Sequence, residues 1–202
     1  KAQCEAAQAL LSMATGNDPL QSLIVRSHGI PPLIDLLTSG SLSTQAAAVR
    51  TLWHIAGNPD SSALIASSGG IPPLCSMLSS SDVHAQELAA IAISRTLKTC
   101  ANASLIVANV GGIVPLVSLL RQGSPLAQQQ AVLAICEVAM EPKNRPLVAD
   151  AGGIQCLGAL LTSNVVGTPE AAARALGNLA RDSYVTPDDG GSAETLADRA
   201  AD

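Results

Sequence analysis

An all-α fold, laid out as a solenoid of stacked helical repeats, is predicted by three observations. The first is a glycine–isoleucine pair, followed three residues later by leucine, that recurs four times: Gly29-Ile30…Leu33, Gly70-Ile71…Leu74, Gly112-Ile113…Leu116 and Gly153-Ile154…Leu157. The glycines stand 41, 42 and 41 residues apart. The second is helical spacing of the apolar residues inside each interval. The third is composition: 48% apolar residues with no Phe, one Trp and one Tyr. A core of Ala, Leu, Ile and Val suits closely packed helices, whereas sandwiches favour aromatic and β-branched residues. Repeats of this length cannot bury their apolar faces alone, so they stack into one continuous surface.

The elements follow in order. Ala6, Ala7, Leu10 and Leu11 read as the long last helix of a partial leading repeat, residues 1–18. The chain therefore begins inside a repeat, and a longer parent is expected. His28 stands where later repeats carry the first glycine of a boundary pair. In the unit from Asn58 to Cys100, a two-turn helix over Ser61 to Ser68 ends at Gly69-Gly70. Glycine takes the left-handed conformation there without a Cβ clash, so Gly70 and Gly112 are expected in or near positive φ. Ile71-Pro72-Pro73 opens a second helix, since first-turn N–H groups have no intrahelical partner to lose. Ser79-Ser80-Ser81 closes it, and Ser81 or Asp82 caps a long third helix reaching about Cys100. Ser124-Pro125 and Thr168-Pro169 each place a capping hydroxyl before a proline at the first helical position. Ala48, Val49, Leu52, Ile55 and Ala56, and again Ala131, Val132, Ile135, Val138 and Ala139, form the apolar stripes of third helices. From about residue 183 the pattern fails. Residues 183–202 read as a tail or flexible linker, leaving a repeat array over 1–182.

Composition also excludes function classes. Charged residues are 13% of the chain, about half the usual share, and the net charge is −5 with no run of Lys or Arg. General nucleic-acid binding needs a basic footprint that is missing. Five scattered cysteines without a CxxC read as core thiols of a reduced, intracellular protein, cytoplasmic or nuclear. Thr99 to Leu120 carries no charge and is long enough to span a bilayer. Its Asn102, Asn109, Gly111-Gly112 and Pro115 favour two short buried helices instead. No phosphate loop, zinc-protease or nucleophile-elbow motif occurs, so no enzyme, cofactor or metal is expected. His84 and Glu87 share a helical face, but a zinc site needs a third protein ligand, and they read as solvated surface.

A period near 40–47 residues fits solenoids of HEAT or armadillo type. The glycine-bounded first helix, the Gly-Ile-Pro-Pro-Leu opening of the second and the Ala/Leu-rich third helix resemble the armadillo repeat. Gly16-Asn17-Asp18-Pro19 and Gly57-Asn58-Pro59-Asp60 are similar to that family's junction after the third helix. The resemblance covers about residues 1–182, as one partial and four fuller repeats, and implies a right-handed α-solenoid of three-helix units. It also implies a concave groove lined by third helices, with exposed positions one turn apart. The apolar register places Arg50 and His54, Ile91 and Arg95, Leu133 and Glu137, and Arg174 and Asn178 on that ladder. Gln8 and Ser12 belong to the partial repeat, and Ala46, Glu87, Gln129 and Glu170 lie one turn earlier. Importin-α proteins carry Trp and Asn along this ladder to clamp basic peptides. Only Asn178 matches, with Trp53 off register, so nuclear-signal binding is disfavoured. β-catenin-like grooves offer Lys and Arg to acidic peptides, and Arg50, Arg95 and Arg174 give a version interrupted by Glu87, Glu137 and Glu170.

The expected function is that of a non-enzymatic protein-interaction module, monomeric as an isolated piece, gripping an extended peptide or helix of a protein partner. The alternative is a substrate-recognition or scaffolding region of a larger enzyme, such as a ubiquitin ligase, with its catalytic domain elsewhere.

Overall fold

The computed structural model describes residues 2–183, and among them there are thirteen α-helices, two 3₁₀ turns and no strand. Long helices stand side by side: α1 (Ala2–Ala14) against α4 (Leu42–Ile55), then α7 (Val83–Thr99), α10 (Pro125–Val138) and α13 (Thr168–Leu179). Shorter helices fill the intervals in pairs: α2 (Asp18–Arg26) with α3 (Ile30–Ser39), and α5 (Pro59–Ser67) with α6 (Ile71–Met77). The later pairs are α8 (Ala103–Asn109) with α9 (Ile113–Gln122), and α11 (Arg145–Asp150) with α12 (Gly153–Leu160). The second helix of each pair backs the long helix that follows it. The 3₁₀ turns are Pro142–Asn144, before α11, and Ala180–Ser183, after α13. Of the expected tail, residues 183–202, only Ser183 is described, at the end of that last turn, and the rest lies outside the described residues.

Each junction has a local cause. Asn17 Oδ1 accepts the Leu20 N–H at 3.1 Å and Asn58 Oδ1 the Asp60 N–H at 2.9 Å, so asparagine caps α2 and α5. Pro19 and Pro59 follow in the first turn, where a missing N–H costs nothing. That helix ends in a Schellman arrangement. At α5 the Gly69 N–H donates to Ala66 O at 3.2 Å and the Gly70 N–H to Ile65 O at 2.9 Å. The same pair of bonds closes α2 at His28-Gly29 and α8 at Gly111-Gly112.

The positive φ falls on the first residue of each pair: His28 at +56°, Gly69 at +80°, Gly111 at +76° and Gly152 at +82°. Gly70 (φ −74°) and Gly112 (φ −69°) are right-handed, which corrects the expectation of positive φ at those two positions. They need glycine for space instead. A Cβ on Gly70 would lie 2.8 Å from Ile65 Cγ2 and 2.9 Å from Ile65 O, because the motif folds this residue back onto the last turn.

Ser124 caps α10 as expected, accepting the Ala127 N–H at 3.2 Å. Thr168 does not cap α13. Gly167 takes the preceding place at φ +81°, and the buried Thr168 hydroxyl has no hydrogen-bond partner. The uncharged stretch Thr99 to Leu120 is broken at Gly111-Gly112, where α8 and α9 meet at 88°. No single helix among the described residues is long and apolar enough to cross a membrane.

The recurrent motif is core. Ile30, Ile71 and Ile113 are buried, as are Leu33, Leu74, Leu116 and Leu157. Ile154 departs from this at 44% exposure. The third-helix stripes bury Ala48, Val49, Leu52 and Ile55 in α4 and Val132, Ile135 and Val138 in α10. This packing fixes the rotation of each long helix and so decides which side chains face out.

Candidate functional site

Because the buried stripe of each long helix points at the short helices, its opposite stripe is left open along the row. Between α4 and α13 this open face forms a groove of about 540 Å³. Trp53 from α4, Ile91, Ser94, Arg95 and Lys98 from α7, Leu126, Gln130, Leu133 and Glu137 from α10, and Arg174 from α13 line it. The spacing in α10, 126, 130, 133 and 137, is one face of a helix over three turns. Of the ladder residues, Ile91, Arg95, Leu133, Glu137 and Arg174 are thus brought together.

His54 opens into an adjoining recess of about 600 Å³ lined also by Asp18, Gln21, Gly57, Asn58 and Ser61. Trp53 and Arg95 line both cavities, so the two adjoin across these side chains. The Arg95 guanidinium lies 5.8 Å from the Trp53 ring centroid, within cation–π range, and the His54 and Trp53 ring centroids are 4.5 Å apart. A Cβ on Gly57 would run into the Arg95 guanidinium. Burial, and then the charges of Arg95 and Arg50, lower the pKa of His54 below the ordinary 6.5.

The remaining ladder residues have other engagements. Glu87 Oε1 accepts the Ser124 Oγ–H at 2.6 Å, tying α7 to the start of α10, while its Oε2 lies 3.7 Å from His84 Nδ1 on the same helix. Asn178 Nδ2 donates to Cys136 O at 3.0 Å, and Arg174 Nε donates to Cys136 Sγ at 2.9 Å, joining α13 to α10. Arg50 is exposed at the edge and lines neither cavity. Arg50, Arg95, Lys98 and Arg174 make no ion pair within 4 Å among the described residues. No group of three or more His, Cys, Asp or Glu positioned for a metal occurs among them either.

Sequence reasoning missed Trp53, Ser94, Lys98, Leu126 and Gln130. It followed positions one turn apart along a single line, whereas an open helical face about 100° wide exposes i, i+3, i+4 and i+7 together. Extending the ladder one turn beyond Arg95 finds Lys98, and two turns before Leu133 finds Leu126.

A family model described as "Armadillo/beta-catenin-like repeat" matches residues 17–57, 58–95 and 141–181. An engineered protein solved by the Northeast Structural Genomics Consortium is 33% identical with a TM-score of 0.83, over 88% of this chain and 44% of that one. The present chain thus spans less than half the length of that protein. A second engineered protein from the same consortium is 33% identical with a TM-score of 0.81, over 88% of this chain and 72% of that one. A designed armadillo repeat protein, solved in complex with the peptide (KR)4, is 24% identical with a TM-score of 0.80, over 87% of this chain and 74% of that one. No curated protein matches the sequence.

Proposed function

Since this chain belongs to the armadillo/β-catenin-like repeat family, a family of right-handed α-solenoids, we propose that it is a non-enzymatic protein-interaction module whose groove holds an extended peptide of a partner protein. One observation carries the reading: side chains from four successive long helices, apolar and charged together, line a single open groove. Ile91, Leu126 and Leu133 offer apolar contact, while Arg95, Lys98, Gln130, Glu137 and Arg174 offer donors and acceptors to a peptide backbone. An extended chain leaves its backbone groups unpaired, so a row of fixed polar side chains one helix apart can satisfy them in turn. The designed relative solved with (KR)4 supports peptide binding by this architecture. The sign of charge is this chain's own. We place the module in the reducing interior of a cell, where Cys75, Cys100 and Cys136 remain buried free thiols.

The test is to select peptides on the immobilised protein from a random display library and to map one by amide chemical-shift changes. Shifts clustered at Ile91, Arg95, Leu133 and Arg174 are expected. Shifts confined to the short helices, at Val114 and Leu147 for example, would reject the groove.

A further inference from the structure

Away from the groove, a cavity on the outer row of short helices has a chemistry of its own. It measures about 310 Å³ and shares no residue with the groove. Gly111, Ile113 and Val114 line it where α8 meets α9, and Leu147, Asp150 and Ala151 line it from α11 of the next repeat. Val114 is 65% exposed and Leu147 47%, so two large apolar side chains of the wall stand partly in water. Exposed Val110, next to Gly111 in the chain, extends the apolar surface. Gly111, at φ +76°, adds no side chain at the place where His28 stands in the first boundary.

Only one lining residue has a polar side chain, and it is out of keeping with its position. Asp150 is the last residue of α11, where the free carbonyls make the helix end negative and a carboxylate is unfavourable. The corresponding residues of the earlier repeats, three before the boundary glycine, are Arg26, Ser67 and Asn109. Among the described residues the Asp150 side chain has no cation within 4 Å and makes no hydrogen bond. A local rule broken without compensation inside the fold points to a group outside it.

We propose that this cavity seats an amphipathic helix of a partner protein, with one large apolar side chain in the pocket and a Lys or Arg one turn away paired with Asp150. The inference is independent of the groove reading. Polar satisfaction selects a helix over an extended chain. An extended peptide brings unpaired backbone N–H and C=O groups, and this wall answers them with a single carboxylate side chain. A helix arrives with its backbone already paired and presents side chains three or four residues apart on one face. Apolar anchors of that spacing are how helices dock in hydrophobic clefts. Residues 99–120, which supply α8 and α9, carry no charge, so Asp150 alone sets the sign of charge among the lining residues.

The probes are two stapled helical peptides with the same leucine stripe, one flanked by Lys and the other by Glu, followed by amide chemical shifts of the protein. The Lys helix is expected to shift Gly111, Val114, Leu147 and Asp150 and to bind more tightly than the Glu helix. Asp150→Asn should weaken the Lys helix by ~3-fold, Asp150→Lys should reverse the order of the two, and Val114→Gln should weaken both by ~5-fold. Val114 and Asp150 are exposed, and thermal melts confirm that the variants fold. The triple variant Arg50→Ala, Arg95→Ala, Arg174→Ala should bind the Lys helix as the parent does, which separates this site from the groove. Shifts of Ile91, Arg95 and Leu133 in place of the pocket residues would overturn the proposal. So would equal affinity for the two helices, or an unchanged order in Asp150→Lys. An unstapled, proline-interrupted peptide of the same composition that binds the pocket equally well would overturn the helical occupant.

Discussion

Gly69 and Gly70 are neighbours that need glycine for opposite reasons. Gly69 sits at φ +80° with open space where a Cβ would go, whereas Gly70 is right-handed and pressed against Ile65. Alanine at Gly69 costs only left-handed strain, about 1 kcal/mol, and His28 at φ +56° shows that a side chain can live there. Alanine at Gly70 must displace backbone, and the loss should be larger, about 2–3 kcal/mol. Urea denaturation of the two variants checks the order, and Gly69→Ala as the worse variant would contradict it. The paired glycines were legible in the sequence, but their division of labour was not. It arises from the hydrogen bonds of the helix end, which no spacing records. Cys75 offers a second test at this scale. Burial pushes its thiol up to about 12 from the ordinary 9.0. The folded protein therefore keeps this proton where the unfolded chain has lost it, and stability should fall as pH rises from about 9 to 12. Comparing urea midpoints of the parent and Cys75→Ala across that range isolates the effect; parallel curves would deny it. At neutral pH Cys75 should resist alkylation while the half-buried Cys4 and Cys156 react.

At the scale of the helix, Ser124 and Thr168 show where local pattern stops being informative. Both precede a proline that opens a long helix. Ser124 lies at the N-cap with extended ψ, caps Ala127 and also donates to Glu87 of the neighbouring helix. Thr168 follows a longer loop in which Gly167, left-handed, takes the cap position, so its hydroxyl turns inward. The difference lies in the loop rather than in the dipeptide. Ser124→Ala should therefore cost about 1–2 kcal/mol, the upper part of the capping range, because an inter-repeat bond goes with the cap. Thr168→Val, removing a buried hydroxyl without a partner, should be neutral or stabilising. Thermal or urea unfolding of the pair measures both, and a more damaging Thr168→Val would contradict the assignment. Trp53 belongs to the same scale. The apolar stripe of α4 pointed to Arg50 and His54, yet the residue that α4 contributes to the groove is Trp53, one position away and invisible to a ladder drawn along a single line.

For the whole molecule, the 41-residue period was enough to read the stacked repeats, because each unit packs mainly on its neighbours and local errors do not propagate. The groove's direction followed from the same stripes. Its charge pattern did not, because Glu87, Asn178 and Arg174 spend hydrogen-bonding capacity on adjacent helices. Such contacts join residues 37 to 42 positions apart and depend on how repeats stack. The central claim is that this face, and not the outer row of short helices, binds the extended peptide. The most direct measurement is the affinity of a selected peptide for the parent and for the triple variant Arg50→Ala, Arg95→Ala, Arg174→Ala. All three side chains are exposed, so helicity and melting should change little. The account predicts affinity lower by ~10-fold or more, about 1.4 kcal/mol, with folding intact; equal affinity in an intact triple variant would contradict it.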